Sequence, residues 1–367
     1  YIDRSAFIAY FKKLKLKIIV MKYLFTPLLL FLLSCASVTS DAVESILVDF
    51  DDKEVYYEGR VQQNEKIGAT EIYWPGSSVS LKFEGTSISA VLEDEKGENY
   101  FTVVVDGKQT SVLDLKKGKN EYLLANNLPL GAHQVEIHKR NDWGFGKTLF
   151  YSYKVLGKKT LEIDAKKMFI ELYGDSITVG YGNEDSTGQD RSTGNVTNNY
   201  LAYGAITSRN LNAEYSCIAH SGIGIMVSWH DLIMPEEYYR WNPFDAASKW
   251  DFSSKRQPDI VVVNLFQNDS WLVKRKKHPE YVKRFGDKAP DHYFIIESYV
   301  SFLKSIRKEY KDAKIICMLG NMDVTEKESE WPRYVWEAVS KMRDRKIYKL
   351  PVVHLGYINF KIINISF

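Results

Sequence analysis

The chain has 367 residues, 45% of them hydrophobic and 14% aromatic, which is long and apolar enough for a globular protein of two ordinary domains, each with a core. Its 49 basic and 47 acidic residues nearly cancel, giving no reason to expect nucleic acid or an anionic membrane surface as partner. Three cysteines, Cys35, Cys217 and Cys317, are too few and scattered for a disulfide framework and none sits at a zinc-like Cys-x-x-Cys spacing, so no metal and no cofactor is expected.

Residues 1–40 read as an address rather than as fold. From Met21, Lys22 precedes an apolar run, Leu24 to Leu33, of the length of a signal-peptide core and too short to span a bilayer. The run ends in Leu32-Leu33-Ser34-Cys35, which resembles a bacterial lipobox. Cys35 would then become the lipidated first residue of the mature protein; the alternative is a small residue near an ordinary cleavage site. Tyr1 to Val20, upstream of that methionine, read as translated leader. The expectation is an exported protein of the cell envelope, touching membrane only through the lipid, or otherwise periplasmic or secreted.

Residues 41–160 show short β-branched and aromatic runs with period-two alternation, broken by Gly, Asn, Asp and Lys turns. Ser78 to Phe83, Ser87 to Leu92, Tyr100 to Val105, Gln134 to His138 and Leu149 to Val155 are predicted strands. Asp106-Gly107 marks a hairpin turn, since such turns need positive φ. This part is predicted to be a β-sandwich. A short charged junction, Gly157 to Lys167, predicts that the two parts pack together.

Residues 165–367 follow a different pattern. Apolar strands at Met168 to Tyr173, Ile260 to Phe266 and Ile315 to Leu319 alternate with helices at Tyr293 to Tyr310 and Trp331 to Arg343. Continuous apolar runs of this kind suit parallel strands covered on both faces, so this part is predicted to be α/β.

Three segments carry candidate chemistry. Gly174-Asp175-Ser176-Ile177-Thr178 follows the first apolar strand and precedes Gly180-Tyr181-Gly182. A serine entering a turn and then a helix exposes its hydroxyl beside a backbone N–H; the competing role is a helix cap. His220-Ser221-Gly222-Ile223-Gly224 ends the Ala-Glu-Tyr-Ser-Cys-Ile run, and Gly222 either brings a backbone N–H close to a ligand or only makes a tight turn. Gln267-Asn268-Asp269-Ser270-Trp271 ends the strand Ile260 to Phe266, where Asn268 either offers amide donors or is a turn residue. All three lie at carboxyl ends of strands, where open α/β sheets bind ligands.

This order of blocks, GDSIT, then Ser-Gly, then Asn-Asp, resembles the SGNH/GDSL hydrolase superfamily. Trp74-Pro75-Gly76-Ser77, Phe83-Glu84-Gly85-Thr86 and Gly131 to Arg140 are similar to segments of carbohydrate esterase family 2, the acetyl xylan esterase type. The resemblance spans most of the chain after residue 40. It implies a jelly-roll β-sandwich followed by a three-layer α/β/α domain with a parallel sheet. It also implies a serine esterase that removes acetyl groups from oligo- or polysaccharide without a cofactor. Carried over by motif, Ser176 is the nucleophile and first oxyanion donor, Gly222 the second and Asn268 the third, with donors of this kind worth ~3 kcal/mol each. Asp175 and Trp271 are candidate lining residues.

The chain departs from the family in two places. Gln267 stands where many members carry a small residue or glycine. The family's base, a histidine in a late Asp-x-x-His or similar block, has no counterpart after Pro351 to Tyr357, which reads as the last strand. A serine hydroxyl needs such a base. His354 lies within that strand, where a core role competes with a catalytic one, and His220 and His230 are near Gly222 but not in the base position. The expectation is a C-terminally truncated or frame-shifted copy, with a surface carbohydrate-binding lipoprotein lacking the catalytic histidine as the alternative. His133 and His138, at spacing five, should face opposite sides of a strand and share no metal. The run Lys274 to Lys277 reads as a solvated face. Trp74, Trp143, Trp229 and Trp271 are candidates either for stacking on sugar rings or for core packing.

Overall fold

The computed structural model describes residues 44–350 apart from 190 and 192. Cys35 with its apolar run, and the 351–357 segment with His354, lie outside the described residues.

The first ten strands are β1 (Glu44–Asp49), β2 (Tyr56–Glu58), β3 (Val61–Asn64), β4 (Ala69–Ile72), β5 (Ser78–Asp94), β6 (Tyr100–Val105), β7 (Lys108–Asp114), β8 (Gly118–Ala125), β9 (Ala132–Lys139) and β10 (Thr148–Leu161). They run in the order β3-β4-β10-β5-β9-β6-β7, with β1 on β10 and β2 and β8 on β5. Every pairing along that path is antiparallel. The two predicted strands Ser78 to Phe83 and Ser87 to Leu92 are one 17-residue strand, β5. Its first half pairs with β9 and its second with β8, so it serves both layers of a jelly-roll-like domain. Two glycines allow the bend. A Cβ on Gly85 would lie 2.5 Å from the Leu156 carbonyl oxygen, and one on Gly157 would lie 2.4 Å from that of Glu84. The register between β5 and β10 slips at this crossing, which bends and twists the strands.

Period-two alternation fills the space between the layers. Val79, Leu81, Phe83, Ile88, Ala90 and Leu92 of β5 meet Phe101, Val103, Val135, Ile137 and Phe150, all buried. Each large side chain so buried contributes roughly 1.5–3 kcal/mol. The Asp106-Gly107 turn joins β6 to β7, with both residues at positive φ, 50° and 76°.

The second sheet comprises β11 (Met168–Gly174), β12 (Ala213–Ala219), β13 (Ile260–Asn264), β14 (Lys314–Met318) and β15 (Ile347–Lys349). It is parallel throughout, in the order β12-β11-β13-β14-β15. Its helices are α1 (Ser176–Val179), α2 (Tyr203–Asn210), α3 (Met234–Glu237), α4 (Gln267–Leu272), α5 (Pro279–Phe285), α6 (His292–Glu309) and α7 (Trp331–Met342). Successive residues of each strand serve opposite faces. Ile170, Leu172, Tyr215 and Cys217 pack with Ala205 of α2 on one face. Tyr173, Val261, Val263, Ile315 and Cys317 pack with Ile295, Leu303, Val335 and Ala338 of α6 and α7 on the other. The result is a three-layer α/β/α arrangement. Asp291 starts α6 by accepting the Phe294 N–H at 2.8 Å, and Arg307 and Lys308 in its last turn suit the negative end of the helix dipole.

The two sheets are joined by a buried ion pair. Arg60, just ahead of β3, reaches Glu171 on strand β11 of the parallel sheet at 2.9 Å, and both side chains are 1% exposed. Burial alone would raise the Glu171 carboxyl, but the Arg60 guanidinium, together with hydrogen bonds from the Tyr173 and Tyr310 hydroxyls, outweighs it and holds the group below the usual carboxylate range. Tyr310 and Ser216 also donate to this carboxylate, at 2.6 and 2.9 Å, satisfying its remaining lone pairs.

Candidate active site

At the carboxyl edge of the parallel sheet, Gly174 of β11 stands in register with Ala219 of β12 and Asn264 of β13. Three chains therefore leave the sheet side by side where the strand order reverses, the position at which α/β sheets bind ligands. Ser176 lies two residues beyond the first strand end, Gly222 three beyond the second and Asn268 four beyond the third.

The cap of α1 is Asp175, not Ser176: its carboxylate accepts the Ile177 N–H at 3.0 Å. The capping role that competed for Ser176 is thus filled by its neighbour. Among the described residues, the half-buried Ser176 hydroxyl and the Ser176 N–H have no hydrogen-bond partner. Burial pushes Asp175 up to about 7, with a further contribution from Asp269, and the Ile177 N–H acts in the opposite sense.

Gly222 occupies the third position of a turn closed by the Ile223 N–H on the His220 carbonyl at 3.2 Å. Its φ of +87° suits glycine, and a Cβ there would lie 3.3 Å from the Cβ of Trp229. The Gly222 N–H is unpaired among the described residues.

Strand β13 ends at Asn264, two residues earlier than the apolar run suggested, because Phe266 turns into the left-handed region at φ 89°. Strain of this kind costs on the order of 1–3 kcal/mol and persists where packing imposes it. Here the Phe266 ring lies 4.8 Å from Tyr299 and 5.0 Å from Trp331. Helix α4 starts at once and places Asn268 on its second position. The Asn268 amide nitrogen donates to the Ile223 carbonyl at 2.8 Å and lies 3.5 Å from an Asp175 carboxylate oxygen. Its amide oxygen accepts the Trp229 indole N–H at 3.0 Å. Asn268 therefore touches the residue after Gly222 and the residue before Ser176, bringing the three strand ends together. Asp269 secures the adjoining loop by accepting the N–H groups of Ile225, Met226 and Val227; burial nonetheless raises it to about 6.

One wall comes from residues that no spacing in the sequence connects. Trp143, in the loop after β9, lies 4.3 Å from His220 between ring centres, and His220 stacks on His230 at 3.9 Å. The Trp143 indole donates to Glu237 at 2.8 Å, and the other Glu237 oxygen lies 3.3 Å from His220 Nδ1. Burial works against a charged His220, yet the Glu237 carboxylate, with Asp142 and Asp231 nearby, outweighs it and lifts the imidazole above its ordinary value. Burial and the neighbouring His220 depress His230 to about 3.

The other aromatic candidates divide. Trp74 is fully buried and donates to the Trp241 carbonyl, which is a core role. Trp229 is 38% exposed, with the Arg275 guanidinium 4.8 Å over its ring, so one member of the solvated basic run is engaged. Trp271 is half-buried and donates to Asp323 at 2.7 Å. His133 bonds Asp106 and the Pro129 carbonyl, whereas His138 packs on Tyr200 and Tyr215.

Residues 57–163 match the model described as carbohydrate esterase 2 N-terminal. The chain is 32% identical over 286 residues to the cellulase/esterase CelE of Acetivibrio thermocellus, which aligns 77% of this chain but only 33% of that relative, so the chain spans about a third of that protein's length. It is 24% identical over 339 residues to an acetylxylan esterase/glucomannan deacetylase of Cellvibrio japonicus, covering 89% of each. Among solved structures, a family two carbohydrate esterase from Clostridium thermocellum in complex with cellohexaose superposes with a TM-score of 0.69 at 32% identity, over 80% of this chain and 87% of that one.

Proposed function

The chain belongs to carbohydrate esterase family 2, and from that premise we propose that it is a serine esterase removing acetyl groups from xylan-type or other plant carbohydrate. Ser176 Oγ attacks the acetyl carbonyl carbon, its proton passes to a base, and the carbonyl oxygen becomes an oxyanion. The N–H groups of Ser176 and Gly222 and the Asn268 amide stabilise that oxyanion. Collapse expels the sugar oxygen, which takes up a proton and leaves an acetyl-enzyme. Water then attacks the acetyl carbon and releases acetate and the free serine.

The observation that supports the proposal is the convergence of three strand ends: Asn268 bonds the Ile223 carbonyl next to Gly222 and lies 3.5 Å from Asp175 next to Ser176, and the N–H groups of Ser176 and Gly222 are unpaired among the described residues. The proton acceptor is a histidine in this scheme. Among the described residues no histidine hydrogen-bonds Ser176; His220 is engaged with Glu237, and His354 lies outside the described residues.

Acetate release from an aryl acetate and from acetylated xylo-oligosaccharide, for the chain and for Ser176→Ala, tests the proposal. Release that disappears in the variant is the expected result. Release that persists unchanged rejects Ser176 as nucleophile, and a folded parent that binds the oligosaccharide but releases no acetate favours a binding protein instead.

A further inference from the structure

The segment His138 to Trp143, at the end of β9, makes a series of contacts with the loops of the parallel sheet. His138 Nε2 lies 3.2 Å from the Asn199 amide oxygen, and the Asn199 amide nitrogen donates to the carbonyls of Thr178 and Val179 in α1. Arg140 donates to the carbonyls of Thr197 and Asn195. Asp142 accepts the Ser221 N–H at 3.3 Å on one carboxylate oxygen and the Gly144 N–H at 3.1 Å on the other. Lys139, fully buried, donates its ammonium to the carbonyls of Asn141 and Asp142, at 2.8 and 3.1 Å. The loop that carries Asp142 is thereby fixed from within its own domain.

Ser221 is the second residue of the turn whose third residue is Gly222. In four-residue turns the central peptide takes one of two orientations, related by a flip of about 180°. A positive φ at the third position, as at Gly222, marks the type II orientation; the type I orientation would turn the Gly222 N–H to the opposite side. The first two residues of this turn are both held from outside it. His220 contacts Glu237 and Trp143, and Ser221 contacts Asp142.

We infer that Asp142 of the amino-terminal domain is a positioning residue for the oxyanion hole: its carboxylate holds the Ser221–Gly222 turn in the orientation that presents the Gly222 N–H to the reacting carbonyl. The inference rests on the esterase reading of Ser176 and Gly222. It assigns the β-domain a part in the chemistry in addition to any binding of carbohydrate. Asp142 touches no reacting atom, so its removal should lower kcat and leave KM largely unchanged, because an oxyanion donor acts on the transition state more than on bound substrate.

The test compares Asp142→Ala, Asp142→Asn and Ser176→Ala in the whole chain, by kcat and KM on an aryl acetate, together with a crystal structure of Asp142→Ala. The expected result is a kcat lower by about ten- to a hundredfold in Asp142→Ala with KM within about twofold, since loss of an oxyanion donor costs roughly a hundredfold or more. Asp142→Asn, which keeps an acceptor oxygen, should recover most of the loss, and Gly222 should leave its φ of +87° in Asp142→Ala. Should Asp142→Ala not fold, Trp143→Phe replaces it. That variant removes the indole N–H to Glu237 and shrinks the ring packed on His220, and should lower kcat by about threefold at constant KM. Full kcat in Asp142→Ala while Ser176→Ala is inert overturns the inference alone. An unchanged Gly222 turn in the Asp142→Ala structure overturns it whether or not the parent chain turns over. Activity that survives Ser176→Ala rejects the esterase reading instead, and the turn geometry then decides this inference separately.

Discussion

The carboxyl rim of the parallel sheet and the end of β9 both contribute to one site, yet they are built differently. On the rim, Ser176, Gly222 and Asn268 each follow directly from a buried strand, so local sequence places them: strand, turn, functional residue. At the end of β9, Asp142 and Trp143 hydrogen-bond partners 79 and 94 residues away, Ser221 and Glu237. Residues set on sheet termini can be found from sequence blocks, whereas the contacts that Asp142 and Trp143 make across the domains are visible only once the chain is folded.

The buried ion pair that joins the two sheets gives the largest expected effect. Glu171→Ala leaves the Arg60 guanidinium buried and unpaired, and breaking such a pair typically destabilises by about 3–5 kcal/mol. Thermal unfolding should show a markedly lower Tm. A Tm unchanged within a degree or two would mean that the two sheets do not depend on this pair.

The rim comes next. Asn268→Ala removes the proposed oxyanion donor and the acceptor for Trp229, and kcat should fall about a hundredfold or more. A loss seen only in KM would assign Asn268 to substrate binding and not to the transition state.

The last effect concerns pH. Asp175 is raised from 3.8 to about 7 by burial, so the folded state disfavours its ionisation. A carboxyl whose folded pKa lies above its unfolded one contributes stability at low pH that is lost as pH rises through the folded value. Its contribution should therefore decline between about pH 4 and 7. Asp175→Asn keeps an oxygen for the Ile177 N–H and removes the titration. Tm measured across that range should be flatter in the variant than in the parent; an identical slope would place the titration elsewhere.

Strands buried on both faces, such as β11 and β13, are legible because every position must be apolar. Strands β7 and β8 are faint in the sequence: β7, Lys-Gln-Thr-Ser-Val-Leu-Asp, is largely exposed and is signalled only by the Asp106-Gly107 turn before it, and β8, Gly-Lys-Asn-Glu-Tyr-Leu-Leu-Ala, is only half-buried and carries little hydrophobic pattern. The break after Asn264 was hidden for the opposite reason. Leu265 and Phe266 continue the apolar run, and only the packing of Phe266 on Tyr299 and Trp331 turns the backbone out of the sheet. The tryptophans show the same limit: Trp74 and Trp229 are chemically alike, but tertiary placement buries one fully and leaves the other 38% exposed beside Asn268.

The central claim is that Ser176 is an activated nucleophile at the meeting point of three strand ends. Treating the folded chain with a fluorophosphonate and mapping the adduct by peptide mass spectrometry tests it most directly. The account predicts one adduct per chain, on the peptide containing Ser176, absent in Ser176→Ala and slower to form in Asn268→Ala. An adduct on another residue, or none on the folded protein, would contradict it.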